Sequence, residues 1–250
     1  MLVTVVYIGH ATVLLELDGV RMLTDPLLRS RVGHLRRVAP PADLESVSAI
    51  DAVLVSHAHH DHLDLPSLRL LPETALAIVP RGSGPLLRGL SFDRVVELDE
   101  GGEVAVGDVL VRALHADHPG GRTPLRARGP ALSFSLLGSR RVYFAGDTGL
   151  FPGMDGLVPH LDLAFIPVWG WGPRLGPGHL DPRSAAEALR LLRPRCAVPI
   201  HWGTYRLLYR ARGVDQPELD APALAFADAA AELAPDVEVR VLRPGDRTSF

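Results

Sequence analysis

Short apolar runs recur along the whole chain, and glycine, proline or aspartate closes each of them. The runs at 12–17 and 20–24 are separated only by Asp18-Gly19, a pair that accepts the positive φ angles of a two-residue turn. They predict a tight β-hairpin. Similar apolar runs predict further strands at residues 2–8, 52–56, 75–79, 94–98, 109–114, 131–137, 142–145, 163–167, 197–200 and 237–242.

Helical patterns are fewer than strand patterns. Residues 182–192 begin with proline directly after Asp181, a good N-cap, and keep an apolar stripe along one face. An alanine-rich amphipathic helix is predicted at 222–233, again opening on proline, and shorter helices at 65–71 and 85–90. Because the helices come between groups of strands, the order favours an α/β protein whose sheets pack together with helices outside.

Composition narrows the class of protein. The 250 residues are 47% hydrophobic, enough for one substantial core, so we expect a single domain over 1–250. The single cysteine, Cys196, excludes an internal disulfide and fits a cytoplasmic location. The formal net charge of −3 argues against nucleic-acid binding by bulk electrostatics. No apolar run reaches the roughly 18 residues of a transmembrane helix, so no membrane span is expected.

The most informative segment is residues 53–62, VLVSHAHHDH, where a predicted buried strand ends in a cluster of ligand-type side chains. His57 and His59 are two positions apart, so both imidazoles can point to one side and bind one cation. Asp61 and His62 follow in the turn and could reach a second cation. The alternative is a solvated histidine-rich turn with Asp61 as a helix cap. Four ligand-type residues in six positions favour the metal site.

Two cations need more than four ligands, and further candidates also follow predicted apolar strands. They are His115 or His118 after the strand at 109–114, Asp147 after 142–145, and His201 after 197–200. Three distant parts of the chain therefore each offer a nitrogen or oxygen ligand at a strand end.

Six segments together resemble the metallo-β-lactamase superfamily, specifically the branch that contains ascorbate-phosphate lactonases and N-acylphosphatidylethanolamine phospholipase D. These segments are YIGHATVLLE at 7–16, LTDP at 23–26, HAHHDH at 57–62, AGDTG at 145–149, GHLDP at 178–182 and PIHWG at 199–203. The resemblance covers most of the chain. It implies a four-layer αβ/βα sandwich in which two mixed sheets face each other, helices cover the outside, and metals lie along one edge.

The resemblance also implies which residues hold two divalent cations. The expected ligands are His57, His59 and His118 for the first cation, Asp61, His62 and His201 for the second, and Asp147 as a bridge between both. His118 is preferred because the family places this histidine several residues past the strand, before a turn with glycine and arginine. His115 remains the alternative, and His60, at a variable position of the motif, is expected at the surface.

The implied chemistry is hydrolysis of an ester, lactone or phosphodiester by a metal-bound hydroxide, which Asp61 and Asp147 orient. Five histidines with two carboxylates suit zinc, although manganese or iron is compatible with the same ligands. Two cations outweigh two carboxylates and one hydroxide by one positive charge, so we expect a small-molecule substrate that is anionic or ester-like. Antibiotic-degrading β-lactamases commonly carry cysteine where Asp147 stands, so β-lactamase activity is not expected.

Further residues are expected around the ligands. The resemblance implies that His10 and Asp25 orient the metal-binding histidines, although Asp25 could instead be a simple turn residue ahead of Pro26. It also places His179 facing the pocket, where it would contact the substrate or protonate the leaving group. The alternative is a loop histidine that packs at the entrance.

Weaker signals leave other readings open. Arg122, Arg126 and Arg128 could bind a substrate phosphate, although such charge runs usually form a solvated face. The looser stretches at 27–41, 118–130 and 169–179 are candidate site-lining loops. Two other functions remain in competition: a nuclease of the same superfamily, and a metal-binding regulatory module without turnover.

Overall fold

The computed structural model describes residues 2–122, 129–170, 176–208 and 216–250. In these ranges the strands, in chain order, are β1 (Thr4–Gly9), β2 (Thr12–Leu17), β3 (Val20–Thr24), β4 (Arg31–Val32), β5 (Leu35–Arg37), β6 (Ala52–Leu54), β7 (Leu76–Pro80), β8 (Arg94–Leu98), β9 (Glu103–Val106), β10 (Val109–His115), β11 (Leu132–Leu137), β12 (Arg141–Phe144), β13 (Leu163–Pro167), β14 (Cys196–Ile200), β15 (Tyr205–Leu207), β16 (Glu238–Val239) and β17 (Arg247–Ser249). The α-helices are α1 (Leu65–Leu68), α2 (Pro182–Leu192) and α3 (Gln216–Leu233), and Gly84–Leu87 forms a 3₁₀ turn.

These strands form two large sheets and one small sheet. The first sheet has the order β17-β1-β2-β3-β6-β7-β8, and the second has the order β16-β14-β13-β12-β11-β10-β9. Both are mixed: the hairpins pair antiparallel, whereas β3, β6, β7 and β8 run parallel in one sheet and β12, β13, β14 and β16 in the other. The small sheet is antiparallel, with the order β15-β5-β4.

Side-chain alternation along β2 shows how the layers are arranged. Val13 and Leu15 share one buried cluster with Phe134 of the second sheet, so this face of β2 packs between the two large sheets. Leu14 belongs to another cluster with Leu68 of α1, so helical structure covers the opposite face of the first sheet. Helices α2 and α3 pack on each other and on the outer face of the second sheet. The expected four-layer αβ/βα sandwich is therefore confirmed.

Local signals in the sequence locate several elements correctly. The hairpin at 12–17 and 20–24 is present as β2 and β3, and the predicted strand at 163–167 is β13. Helix α2 has the predicted bounds, because Asp181 accepts a hydrogen bond from the Ser184 amide and forms a capping box with the Ser184 hydroxyl.

Several predicted elements differ from those in the structure. Helix α3 begins at Gln216, so Pro222 lies inside it rather than opening it, and packing of the helix on its neighbours outweighs the amide that proline lacks. Helix α1 ends at Leu68 instead of residue 71. Pro72 disfavours helical conformation at the residue just before it, so the helix could not have reached that residue easily. The helix predicted at 85–90 is the short 3₁₀ turn. The strand predicted at 237–242 is shorter in the structure, where only Glu238–Val239 (β16) pair with β14.

The length and apolar character of the helices bear on whether any of them could cross a membrane. Among the residues described, none of the helices combines the length and the apolar character that a membrane crossing requires.

Candidate metal centre

The ends of strands from both large sheets meet at one rim of the sandwich. In the first sheet, His10 follows β1, Asp25 follows β3, and His57 comes three residues after the end of β6. In the second sheet, Asp147 follows β12 and His201 follows β14. The His201 amide donates to the His10 carbonyl at 2.8 Å, which joins the two sheets at this rim. Side chains that are far apart in sequence are thereby brought together.

Gly146 allows the two sheets to approach closely beside the cluster. Its φ angle is +60°, a region that L residues with side chains rarely adopt. A Cβ atom added there would lie 2.6 Å from the Cβ atom of Ser56, directly before the histidine motif. Any side chain at this position would therefore push the Asp147 segment away from the motif.

Three imidazoles form one group of ligand atoms. The Nε2 atom of His57 lies 2.9 Å from Nδ1 of His59, and Nε2 of His118 lies 3.2 Å from the same Nδ1 atom. His57 is buried, whereas His59 and His118 are half-buried. We call this set the three-imidazole group.

Hydrogen bonds outside the cluster fix the tautomers of two histidines. Nδ1 of His118 lies 2.8 Å from the carbonyl oxygen of Gly178, and a carbonyl can only accept, so this nitrogen carries the proton. Nδ1 of His62 likewise lies 2.7 Å from Oδ2 of Asp25, which is fully buried. Both rings therefore turn Nε2 toward the cluster, as metal-binding histidines do.

Ser56 fixes the tautomer of a third histidine, His57. The Ser56 hydroxyl donates to Oδ2 of Asp25 at 2.6 Å, so its proton is committed to that carboxylate. Its oxygen, 3.0 Å from Nδ1 of His57, then accepts the proton of that ring. Asp25 thus orients His62 directly and His57 through Ser56. The sequence pointed to Asp25 but missed Ser56, although this serine immediately precedes the motif.

Asp61 and three histidines form the second group of ligand atoms, which we call the Asp61 group. Oδ2 of Asp61 lies 3.3 Å from Nε2 of His10, 3.8 Å from Nε2 of His62 and 3.9 Å from Nε2 of His201. The three histidines are buried, and Asp61 is partly exposed. His10 thus contacts the same carboxylate oxygen that faces the expected ligands.

Asp147 lies between the two groups. Its Oδ1 atom is 3.4 Å from Nε2 of His201, and its Oδ2 atom is 3.3 Å from Nε2 of His62. It also shares a set of potential ligand atoms with His57, all within 4.8 Å of one another. This placement is suitable for the bridging role that the resemblance implies.

The electrostatics of the cluster suit a cation. Burial, followed by the charge of His62, holds the pKa of His57 well below its usual range, so this ring is neutral, as a metal ligand must be. Burial also lowers the pKa of His62, but the carboxylates of Asp147, Asp25 and Asp61 outweigh it and raise that pKa well above the ordinary value. Three carboxylates thus favour positive charge at the centre. The donor set, imidazole nitrogen with carboxylate oxygen, fits divalent cations such as zinc.

His115 and His118 are separated clearly by the structure. His115 is exposed at the end of β10, where its Nδ1 atom pairs with Oε2 of Glu100 at 3.0 Å. Its ring also meets the edge of Phe151. Among the described residues, His118 joins the potential ligand groups and His115 does not.

His179 lies at the edge of the cluster. Its Nε2 atom is 3.7 Å from Oδ2 of Asp147, and its ring is 4.7 Å from that of His118. Its Nδ1 atom lies 3.2 Å from the carbonyl oxygen of Gly176, so this nitrogen carries a proton. The side chain is 27% exposed, which leaves it accessible from solvent.

Arg122 contacts the motif loop rather than extending freely. Its guanidinium donates to the Leu63 carbonyl at 3.0 Å and lies 2.9 Å from Nδ1 of His60, which is exposed as expected. These contacts link the segment after His118 to the loop that carries the other ligands. Arg126 and Arg128 lie outside the described residues.

Comparisons with known proteins agree with the fold and with the candidate metal centre. A family model described as "Beta-lactamase superfamily domain" matches residues 20–202. The metallo hydrolase Igni18 from Ignicoccus hospitalis superimposes with a TM-score of 0.75 and 25% identity, covering 100% of this chain and 99% of that one. The fold is thus that of the metallo-β-lactamase class of hydrolases. The chain belongs to the β-lactamase superfamily.

Two curated relatives resemble this chain in sequence. An uncharacterized protein of Mycobacterium tuberculosis is 36% identical over 218 residues, which cover 80% of this chain and 59% of the relative. The N-acyl-phosphatidylethanolamine-hydrolyzing phospholipase D 1 of Caenorhabditis elegans is 34% identical over 226 residues, with 80% and 63% coverage. The chain therefore spans about three fifths of the length of these relatives.

Proposed function

We propose that this protein is a binuclear metal-dependent hydrolase that uses activated water to cleave an ester, lactone or phosphodiester. The observation that carries the proposal is the position of Asp147 between two groups of convergent ligand atoms. The C. elegans relative is named for hydrolysis of a phospholipid, and Igni18 is described as a metallo hydrolase, which supports the same reaction class.

The residues divide into ligands and orienting groups. The proposed ligands are His57, His59 and His118 for one cation, Asp61, His62 and His201 for the other, and Asp147 for both. Two divalent cations held there would lower the pKa of a shared water and polarise the scissile group. Asp61 and Asp147 accept hydrogen bonds from the attacking water and orient it. His10 holds Asp61 in place through the 3.3 Å contact.

His179 is proposed to act on the leaving group. Its Nδ1 proton is engaged by the Gly176 carbonyl, so the atom available to the substrate is Nε2, near Asp147. In the proposed step, the proton that is transferred is carried on this Nε2 atom, which lies 3.7 Å from Oδ2 of Asp147. From there the proton can pass to the oxygen that leaves, which is general acid catalysis.

The test combines elemental analysis of freshly purified protein with a panel of esters, lactones and phosphodiesters. We expect zinc, and manganese or iron would keep the mechanism while changing the metal. Asp147→Ala should lose both bound metal and turnover, whereas the control His115→Ala should keep both. Turnover that persists in Asp147→Ala without metal would refute the mechanism.

The panel also separates the competing functions. Single-stranded RNA and DNA form its contrast arm, and cleavage restricted to them would point to a nuclease. A metal-loaded protein that is inert on every substrate would favour the regulatory module.

A further inference from the structure

A cleft of about 470 Å³ opens beside the Asp61 group. This volume lies within the range of small-molecule sites. Asp61 lines the cleft and is 19% exposed, while its Oδ2 atom faces His10, His62 and His201. A molecule bound in the cleft would therefore lie next to the proposed cation centre.

The wall opposite Asp61 is the β4–β5 hairpin. Val32 and Leu35 are directly paired across the hairpin, so both side chains lie on one face, and both line the cleft. Arg31 and Arg36 form the next pair, on the opposite face and outside the lining. The hairpin therefore turns its apolar face toward the cleft and its arginines away from it.

Hydrogen bonds hold this wall in place. β5 pairs with β15, and the hydroxyl of Tyr205 donates to the carbonyl oxygens of Leu27 at 2.9 Å and Arg29 at 2.7 Å. Val32 and Tyr205 also share a small buried cluster with Leu27. The apolar face is thus a supported surface rather than an isolated turn.

Two of the charged residues that line the cleft, Arg29 and Asp64, neutralise each other, while Asp61, His34 and His60 also line it. The guanidinium of Arg29 binds the carboxylate of Asp64 through two hydrogen bonds, at 2.8 and 2.5 Å. Asp64 also accepts from the Ser67 amide as the cap of α1. Because Nε and Nη2 of this arginine bind both oxygens of the carboxylate, the two charges of the pair compensate each other.

We infer that this cleft binds an uncharged, apolar part of the substrate, such as an acyl or aryl group next to the scissile bond. The inference rests on the proposed function for the reacting end of the molecule. Leu35 is then a specificity-determining residue, because it is the half-buried apolar side chain of the wall.

The first test measures binding without turnover. The uncharged fluorescent probe N-phenyl-1-naphthylamine is titrated into the wild type and into Leu35→Asp, with Leu224→Asp as the matched control. Leu224 is 55% exposed on α3, outside the cleft. Leu35→Asp should raise the Kd of the probe by roughly tenfold or more, the effect of removing a leucine contact and burying a charge. Equal affinity of the probe for the wild type and for Leu35→Asp would overturn the inference.

The second test measures chain-length preference. The ratio of kcat/KM for p-nitrophenyl octanoate to that for p-nitrophenyl acetate is compared among wild type, Leu35→Ala and Leu224→Ala. Leu35→Ala should lower this ratio by about five- to tenfold, because each lost methylene contact weakens only the long substrate. An unchanged ratio contradicts the inference. Probe binding that depends on Leu35, in a protein inert on the whole panel, supports the cleft and contradicts the proposed function.

Discussion

The three-imidazole group and the Asp61 group differ in charge and in burial. The first contains His57, His59 and His118, and two of these rings are half-buried. The second adds a carboxylate to three buried histidines. Both lie at the same rim, and both can share Asp147.

This difference indicates a division of labour between the two groups. A carboxylate brings formal charge to a cation, and burial reduces the competition from water, so we expect the Asp61 group to hold its metal more tightly. The three-imidazole group relies on neutral nitrogens, which suit zinc but attract a cation less strongly at long range. The cleft opens on the Asp61 side, so the cation expected to bind more tightly would also lie nearer the proposed apolar subsite.

Metal removal affects both groups and should have the largest effect. Chelation should abolish turnover and lower Tm by roughly 8–16 °C for each cation removed, because a ligand at a thousandfold excess over its Kd stabilises by about 4 kcal/mol and a protein of this size loses about 2–4 °C per kcal/mol. Calorimetry with and without chelator measures the shift. Restored Tm on adding zinc is the control, and an unchanged Tm would contradict a structural contribution of the metal.

Substitution of one ligand in each group tests the proposed difference directly. His59→Ala should lose the cation of the three-imidazole group and keep that of the Asp61 group, with turnover lost. Asp61→Ala should lose the tighter cation. Metal content after stepwise dialysis measures both, and the wild type should release its two cations in two steps. A single step with equal loss in the two variants would contradict unequal groups.

Orienting residues should have intermediate effects. Asp25 contacts His62 and, through Ser56, His57, so Asp25→Asn should weaken metal binding in both groups by about 10- to 100-fold. Ser56→Ala removes only the link to His57, so it should weaken the three-imidazole group alone. Competition with a metal-binding dye measures each affinity. Equal losses in both groups for Ser56→Ala would contradict this arrangement.

Local sequence signals explain which parts of the fold were predictable. The Asp18-Gly19 turn and the Asp181 cap each act within a few residues, so β2, β3 and α2 follow from the sequence. Helix α3 begins at Gln216 and not at Pro222, because proline in the first turn also occurs at Pro217 and the local pattern does not choose between the two. Strands β4 and β5 are too short to show a period, so residues 27–41 were predicted only as a loop.

In the candidate site too, some residues could be predicted from the local sequence, whereas others depend on the three-dimensional fold. The spacing from His57 to His62 indicates a metal site, but it does not reveal which other strand ends meet it. Their positions after predicted strands made His118, Asp147 and His201 candidates, and the resemblance assigned them to the two cations. The link through Ser56 and the apolar cleft wall depend on side-chain positions in space, so only the structure could reveal them.

Replacement of a histidine outside both groups should have the smallest effect. His115→Ala removes an exposed ion pair with Glu100, and such pairs contribute about 0–1 kcal/mol. Metal content and turnover should match the wild type, whereas His118→Ala should lose the cation of the three-imidazole group. The pair of variants sharpens the comparison, since His115 ends β10, His118 follows three residues later, and of the two only His118 contacts His59. Metal loss in His115→Ala with retention in His118→Ala would reverse the assignment.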